Sequence, residues 1–398
     1  MTSGAQRRPL QEVTLRTVST EADVRRSAEL LAGALASDEY ERIYSLFGGA
    51  LNACPYVRRE RSFLWEAGGR VVGRLQLLDL GLQIGETLVP AAGISGLVID
   101  PQFFGIGLAL RFGQTILDQI RADGAEIAIG FTATRGYYER FAGVTVTPDY
   151  ALTFEAPLGA ARGDLRELTP EELPHLLRLY QENNVGRTGV LVRSEVRWPW
   201  LYQKSDRYLL SDSGYAGLRL EDALVHIDEI GGSASFFDEL VSWLPRITGL
   251  PTPSVRADIP PDHPFAAHAE RYGAKMEVTL RASGGGMARI INVPNLLKRL
   301  EPVLSGRYLA ARPDGPSIRL TLAVENSEAI CVMGDPARGV ESMRVMLPGA
   351  VLTRLVFGTL PAPVVLSEAA LAAPDSVVSL LSLLFPRGYP HTWRADKF

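Results

Sequence analysis

The chain has 398 residues, 46% of them hydrophobic and 22% charged, with a net charge of −4, the composition of an ordinary globular protein of two or three domains. Both signs of charge are mixed along the chain, and no basic block is present to neutralise the phosphates of a nucleic acid. No stretch reaches the ~18 apolar residues of a membrane span, and the opening MTSGAQRRPLQEVTLRT lacks the apolar centre of a signal peptide. A cytoplasmic protein is expected, with neither a nucleic acid nor a membrane as partner. Cys54 and Cys331 are the only cysteines; they are too far apart for a metal motif, and reduced thiols are expected.

The first region opens with a strand-like segment over residues 13–18. Thr20-Glu21-Ala22-Asp23 then has the form of a capping box before the amphipathic run ADVRRSAELLAGAL. SFLWE and RVVGRLQLLDL flank Ala67-Gly68-Gly69 and read as a hairpin. AGISGLVID reads as a short strand ending at Asp100-Pro101. A glycine-containing loop follows and feeds the helical stretch LALRFGQTILDQIRADG. AEIAIGF is a further strand, GYYERFAG a short helix, and VTVTPDYALTFEAP the closing strands. The order is β, α, β, β, β, α, β, α, β.

A second region begins near residue 160 and repeats the opening phrase: LRTVSTEADVRRSAELL is answered by LRELTPEELPHLLRLY. Each is a strand, a threonine cap, an acidic residue three places on and an amphipathic helix. Pro170 stands at the first helical position, where its missing N–H costs nothing. RYLLSDSGYAGLRL and DALVHIDEI then repeat the hairpin and following strand, and SASFFDELVSWL the helix, which points to a duplication. After Ser283-Gly284-Gly285-Gly286 a third region begins. Strand-like MARIINV runs into Pro294 and the helix NLLKRLEPVL. SIRLTLAVE and EAICVMG alternate as antiparallel strands, and SVVSLLSLLF forms a last helix. The tail GYPHTWRADKF has no periodicity, but its aromatic residues Tyr389, Trp393 and Phe398 imply docking rather than a loose end.

Two segments carry chemistry. Phe103-Phe104-Gly105-Ile106-Gly107-Leu108-Ala109 joins a strand to a helix; glycines let the backbone approach a pyrophosphate, and the N–H groups of the helix start accept its charge. A tight turn without a ligand has the same appearance. A dinucleotide fold is disfavoured, because the loop follows four strand-like elements and not the first. The second segment is Gly136-Tyr137-Tyr138-Glu139-Arg140-Phe141-Ala142-Gly143. A phenol, with a pKa near ~10, is suited to protonate a departing thiolate of roughly similar basicity, although aromatic residues commonly serve packing alone. The five histidines include the pair His263 and His268, but no carboxylate or cysteine completes a metal site of ordinary spacing, so no metal is expected. No Gly-x-Ser-x-Gly elbow supports a hydrolase.

These segments together resemble the enhanced-intracellular-survival (Eis) type aminoglycoside acetyltransferases of the GNAT superfamily. VPAAGISGLVIDP resembles the family's strand leading to the CoA loop, YYERFAG its Tyr-x-Arg-Phe-Gly segment, and MARIINVPNLLKRL the start of its C-terminal region. The chain also closes on phenylalanine. The likeness runs over nearly the whole chain and is weakest in the middle. It implies an α/β (α+β) fold of two GNAT-like mixed-sheet domains in tandem, followed by a sterol-carrier-protein-like α+β domain. The corresponding limits are 1–158 for the catalytic acyl-CoA-binding domain, 159–285 for the degenerate copy and 286–398 for the last.

The family pyrophosphate pattern, Gln/Arg-x-x-Gly-x-Gly/Ala, places Phe104, Gly107 and Ala109 on its defined positions; a second register uses Gln102, Gly105 and Gly107. Acetyl-CoA as cosubstrate is thus expected at Phe104, Gly105, Ile106, Gly107, Leu108 and Ala109, with the backbone amides of Leu97, Val98 and Ile99 polarising the thioester. By the same resemblance Tyr138 is the general acid, in preference to Tyr137, and the α-carboxylate of Phe398 is the general base. A free α-carboxylate, near pKa ~3.5, is a poor base, but burial raises it. The acceptor is expected to be a primary amine, such as an aminoglycoside or other polyamine, and the assembly a homo-oligomer, with a hexamer implied by the family.

Two departures stand out. Phe104, Gly105 and Ile106 occupy places where relatives carry arginines, and the nearest cation is Arg111, a turn into the helix; losing such contacts weakens pyrophosphate binding by a few kcal/mol. Lys397 stands where an acid is found in aminoglycoside enzymes. Asp38 and Glu39, with Glu41 nearby, offer an acidic wall for a cationic acceptor, or are simply a solvated helix end. The alternative to an enzyme is a non-catalytic ligand-binding protein built from a degenerate GNAT pair and a sterol-carrier-like region.

Overall fold

The computed structural model describes residues 13–34, 58–104, 107–132, 136, 138–141, 143–158, 163–195, 197–201, 204–281 and 285–398. The fold is mixed α/β. In chain order the first elements are β1 (Val13–Thr17), α1 (Glu21–Ala34), β2 (Ser62–Ala67), β3 (Arg70–Ile84), β4 (Thr87–Ile99), α2 (Leu108–Ala122), β5 (Ile127–Thr132), β6 (Val144–Thr147) and β7 (Asp149–Glu155). Then come β8 (Arg166–Glu167), α3 (Leu173–Asn184), β9 (Leu191–Val192), α4 (Trp198–Leu201), β10 (Arg207–Ser211), β11 (Gly214–Glu221), β12 (Leu224–Gly232), α5 (Ala234–Thr248), β13 (Ser254–Ala257), α6 (Pro264–Ala269) and β14 (Lys275–Thr279). The chain ends with β15 (Gly285–Ile290), α7 (Val293–Ala311), β16 (Ser317–Val324), β17 (Ser327–Met333), β18 (Val340–Met346), α8 (Gly349–Phe357), α9 (Ala362–Glu368) and α10 (Asp375–Leu384).

These elements fall into two compact units. The first holds the described residues within 1–79 and 92–123, together with Phe398; the second holds 80–91 and the described residues within 124–397. In the first unit the start of α1 and the buried face of α2 follow from sequence. Thr20 Oγ1 accepts the N–H of Asp23 at 3.1 Å while Asp23 Oδ2 accepts that of Thr20 at 3.0 Å, closing the capping box. Helix α2 buries Leu108, Phe112, Ile116, Leu117 and Ile120, one stripe at helical spacing. Phe112 stacks on Trp65 of β2 with centroids 3.8 Å apart. The β4 strand is longer than its sequence suggests, because Pro90, Gly93 and Gly96 read as breakers. Pro90, which has no N–H to donate, uses its carbonyl to accept Glu126 N at 2.9 Å, and Gly96 takes a left-handed φ of +55°.

The two larger sheets are ordered alike. One runs β1-β2-β3-β4-β5-β15-β6 and the other β8-β10-β11-β12-β13-β7-β14. Each is a strand, a helix, three strands, a helix and two more strands, and each admits a foreign strand before its last; the first sheet also takes β9, which pairs with β3. The guest before the last strand is β15, which opens the third region, in the first sheet and β7, the last strand of the first region, in the second. The closing strands of the first region therefore part company at Pro148, β6 staying and β7 leaving. In the second copy the Thr169–Glu172 capping box forms as its sequence indicates, and β12 and β13 pair in parallel from Leu224 with Ser254 to Ile227 with Ala257.

In the third region β16 pairs antiparallel with β17, as the alternation implies, and parallel with β18. Strands β14 and β18 and helices α8 and α9 are not among the elements that the sequence indicates: Gly273, Gly339, Pro348, Gly358 and Pro361 stand at their edges, but each element is too short to show a clear period. Arg299 of α7 grips the buried Glu126 carboxylate through Nε and Nη2 at 2.7–3.0 Å. Among the described residues no helix is long and apolar enough to cross a membrane.

Candidate active site

In the first unit, β4 ends against a buried carboxylate. Asp100 accepts hydrogen bonds from Arg70 Nη2 at 2.7 Å, Arg26 Nη2 at 3.2 Å and the backbone N–H of Gln102 at 3.0 Å. Its own N–H donates to Val72 O at 2.8 Å. Leu97, Val98 and Ile99 are partly exposed just before it. A single turn, Pro101–Phe103, follows, and then Phe104, which is 65% exposed. Gly105 and Ile106 lie outside the described residues. Gly107 caps α2 with φ +79°, a conformation that favours glycine, and its carbonyl accepts Leu110 N at 3.1 Å. Among the described residues, apart from its own chain neighbours and helix backbone, no atom lies within 4 Å of where a side chain on Gly107 would begin. The helix start thus opens on free space with no side-chain cap, the setting that an anionic group requires. Leu108 is buried and Ala109 half-buried, seating the first turn.

In the second unit, β5 leads to the turn Tyr138–Phe141. Gly143 N donates to Tyr138 O at 3.0 Å, and Arg289 of β15 donates to Phe141 O at 2.5 Å. The guest strand therefore holds this turn in place. Tyr138 is half-buried, and burial pushes its phenol up to about 12, which keeps the proton on the oxygen at neutral pH.

The tail, also in the second unit, is docked. Trp393 is 1% exposed within the core of the second copy, and its Nε1 donates to Asn184 Oδ1 at 2.9 Å. His391 N donates to Thr188 O at 2.9 Å, and Thr392 Oγ1 to Gly189 O at 2.7 Å. Asp396 is buried on the guanidinium of Arg193, with N–O distances of 2.9–3.1 Å. Arg193 also donates to Glu229 at 2.9 Å and lies over the rings of Tyr180 and Trp198 at 4.1 and 4.4 Å. Burial by itself would lower the pKa of Arg193; the carboxylates of Asp396 and Glu229 reverse this and hold it well above the ordinary value. Lys204 Nζ donates to the carbonyls of Ala395 at 2.7 Å and Lys397 at 3.1 Å. Lys397 is exposed and Phe398 half-buried. Trp393→Ala is expected to cost about 3–5 kcal/mol through loss of packing, read as a lower urea midpoint.

Residues 15–143 match the family described as "Acetyltransferase (GNAT) domain". This part of the chain is a GNAT acetyltransferase domain. No curated protein matches the chain. The fold of the whole chain is shared with solved structures. A GCN5-related N-acetyltransferase from Kribbella flavida aligns with a TM-score of 0.73 at 19% identity, covering 97% of this chain and 100% of the other. One from Anabaena variabilis ATCC 29413 aligns with 0.74 at 18% identity, with the same coverage of each. Eis1 from Mycobacterium abscessus aligns with 0.66 at 16% identity, also over 97% and 100%.

Within the acetyltransferase domain, Leu97, Val98, Ile99, Phe104, Gly107, Leu108 and Ala109 gather at the β4 end and the start of α2. Tyr138 lies in the other unit, as does the tail up to Lys397, whereas Phe398 belongs to the first. Asp38, Glu39, Glu41, Tyr137 and Cys54 lie outside the described residues; Cys331 is buried as a free thiol. Among the described residues no group of three or more histidine, cysteine, aspartate or glutamate side chains is arranged to hold a metal. His263 has a structural role: its Nδ1 caps α6 by accepting from Phe265 N at 3.1 Å, and burial pushes its pKa down to about 3. Sequence reasoning missed Arg74, buried in β3 beside Gly96 with its pKa lowered to about 10 by burial, and the cluster of Arg193, Lys204, Glu229 and Asp396. Residues so far apart in sequence carry no spacing signal.

Proposed function

We propose that the protein is an N-acetyltransferase that moves an acetyl group from acetyl-CoA directly to a primary amine. The observation that carries this reading is the match of residues 15–143 to a GNAT acetyltransferase domain, with Tyr138 half-buried at the turn after β5. When bound, acetyl-CoA supplies the activated acyl carbon. Its pyrophosphate is assigned to residues 104–109 at the start of α2, and the amides of Leu97, Val98 and Ile99 face its thioester oxygen. The amine nitrogen attacks the carbonyl carbon, a C–N bond forms and the C–S bond breaks. The α-carboxylate of Phe398 takes the proton that the amine loses, and Tyr138 Oη gives its proton to the leaving sulfur. Solvent then returns the proton from the carboxylate to the phenolate, leaving an amide and CoA thiol. Asp38 and Glu39 are assigned to the acceptor's cationic groups. The proposed division is residues 1–158 for catalysis, 159–285 for a degenerate copy and 286–398 for a sterol-carrier-like domain that delivers the chain end. A homo-oligomer is part of the same reading.

One observation favours a second reading, a ligand-binding protein without activity. The loop from Gln102 to Leu110 contains no lysine or arginine, and Phe104 stands exposed in it. Calorimetry with acetyl-CoA, followed by thiol release over a panel of amines, separates the two. One site per chain is expected, weaker than in arginine-bearing relatives, with stabilisation of about 2.7 kcal/mol at a hundred times Kd. Absence of both binding heat and a melting shift at saturating acetyl-CoA overturns the enzyme reading; binding without turnover on any amine supports the second.

A further inference from the structure

In the first copy the proposed cofactor place is the C-terminal end of β4 and the turn into α2. Sheet order makes the end of β12 and the turn into α5 its counterpart in the second copy. Strands β12 and β13 stay paired only as far as Ile227 and Ala257. Beyond that point β12 continues through Asp228 and Glu229 to Gly232. The chain's own tail lies there. Arg394 Nε is 3.5 Å from Asp228, Asp396 reaches Glu229 through the shared Arg193, and Trp393 meets the ring of His263, just past β13, at 5.8 Å. The counterpart of the cofactor place is filled by residues 393–396.

We propose that this filled place is an anchor, and that Lys204 and Arg193 are positioning residues for the terminal carboxylate. The proposal rests on the reading of Phe398 as base. Asp396 is fixed by Arg193, and the last internal carbonyl, that of Lys397, accepts from Lys204. Only the bonds of Phe398 itself then separate a fixed atom from the carboxylate. One residue spans about 3.3–3.6 Å, so little freedom remains. A base placed about 1 Å off its mark loses on the order of a hundredfold in rate, which gives such an anchor a kinetic purpose. Two donors from Lys204 and two carboxylates on one buried guanidinium form a tether far more specific than the packing of a helix end requires.

Lys204→Met in the full chain, with Lys204→Arg beside it, tests the anchor. Lys204 itself is exposed, so the fold should stand; circular dichroism and acetyl-CoA calorimetry confirm that it does. Expected for Lys204→Met are a fall in kcat of about 10- to 100-fold, unchanged KM for acetyl-CoA, faster release of Phe398 by carboxypeptidase, and substantial recovery in Lys204→Arg. If carboxypeptidase releases Phe398 no faster than from the wild type, the anchor is refuted, whatever the rate. If release is faster but kcat is unchanged, the positioning role fails, while the terminal-base reading is decided separately by a protein tagged after Phe398. If Lys204→Met fails to fold, Arg193→Lys, which keeps the charge but loses the paired geometry, is scored by the same two readouts.

Discussion

A peptide tag fused after Phe398 is expected to abolish turnover while acetyl-CoA binds as it does to the untagged chain. The fusion converts the α-carboxylate into an amide, which cannot accept the amine proton at neutral pH. Deleting Phe398 has the same consequence for a different reason, since the new carboxylate, on Lys397, falls one residue short, about 3.3–3.6 Å, beyond the reach of proton transfer. The tail above this point is expected to stay docked in both variants, because Trp393, Asp396 and the carbonyl of Ala395 keep their partners. Both variants should therefore melt close to the wild type, within the ±0.5 kcal/mol usual for surface changes. Rates of thiol release are compared between tagged, truncated and native-ended protein in one assay. Full activity in the tagged protein rules out the terminal base and assigns the proton to water or an internal carboxylate.

Tyr138→Phe removes one oxygen and almost no volume. Its kcat is expected to fall by about 10²–10⁴, the contribution of a general acid, with acetyl-CoA affinity retained. The sign of the pH effect follows from burial. In the proposed acid role the active form is the neutral phenol, and desolvation raises its pKa from 10 to about 12. Deprotonation of Tyr138 therefore does not depress kcat until the pH approaches 12, where an exposed tyrosine would already lose its proton near 10. The same apolar surroundings disfavour a thiolate, so the leaving sulfur also becomes more basic and the transfer stays close to balanced. A rate profile of the wild type that declines between pH 9 and 10, together with an active Tyr138→Phe variant, would remove Tyr138 from the acid role.

Much of the architecture was legible because its signals are local. The capping boxes at Thr20 and Thr169 depend on residues three apart, and both form. The hairpin at Ala67-Gly68-Gly69 and the stripe on α2 are periodic over a dozen residues, and both are present. Gly107 identified itself as a helix start through its place between a strand pattern and a helical one. The repeated strand–cap–helix phrase is mirrored by two sheets of the same order.

What the sequence by itself determined was the type and order of most elements, the paired plan of the first two regions, and the segment holding Tyr138. Each rests on contacts between near neighbours in the chain, which leave a period or a cap in the sequence. Only the tertiary structure decided that β15 joins the first sheet and β7 the second. The same holds for the grip of Arg299 on Glu126 and for the fixing of Asp396 by Arg193, 203 residues away. An isolated arginine or aspartate looks the same in a sequence whether it is solvated or buried. Desolvation makes an unpaired charge untenable in a core, and the partner that answers it is chosen by the fold and not by spacing along the chain.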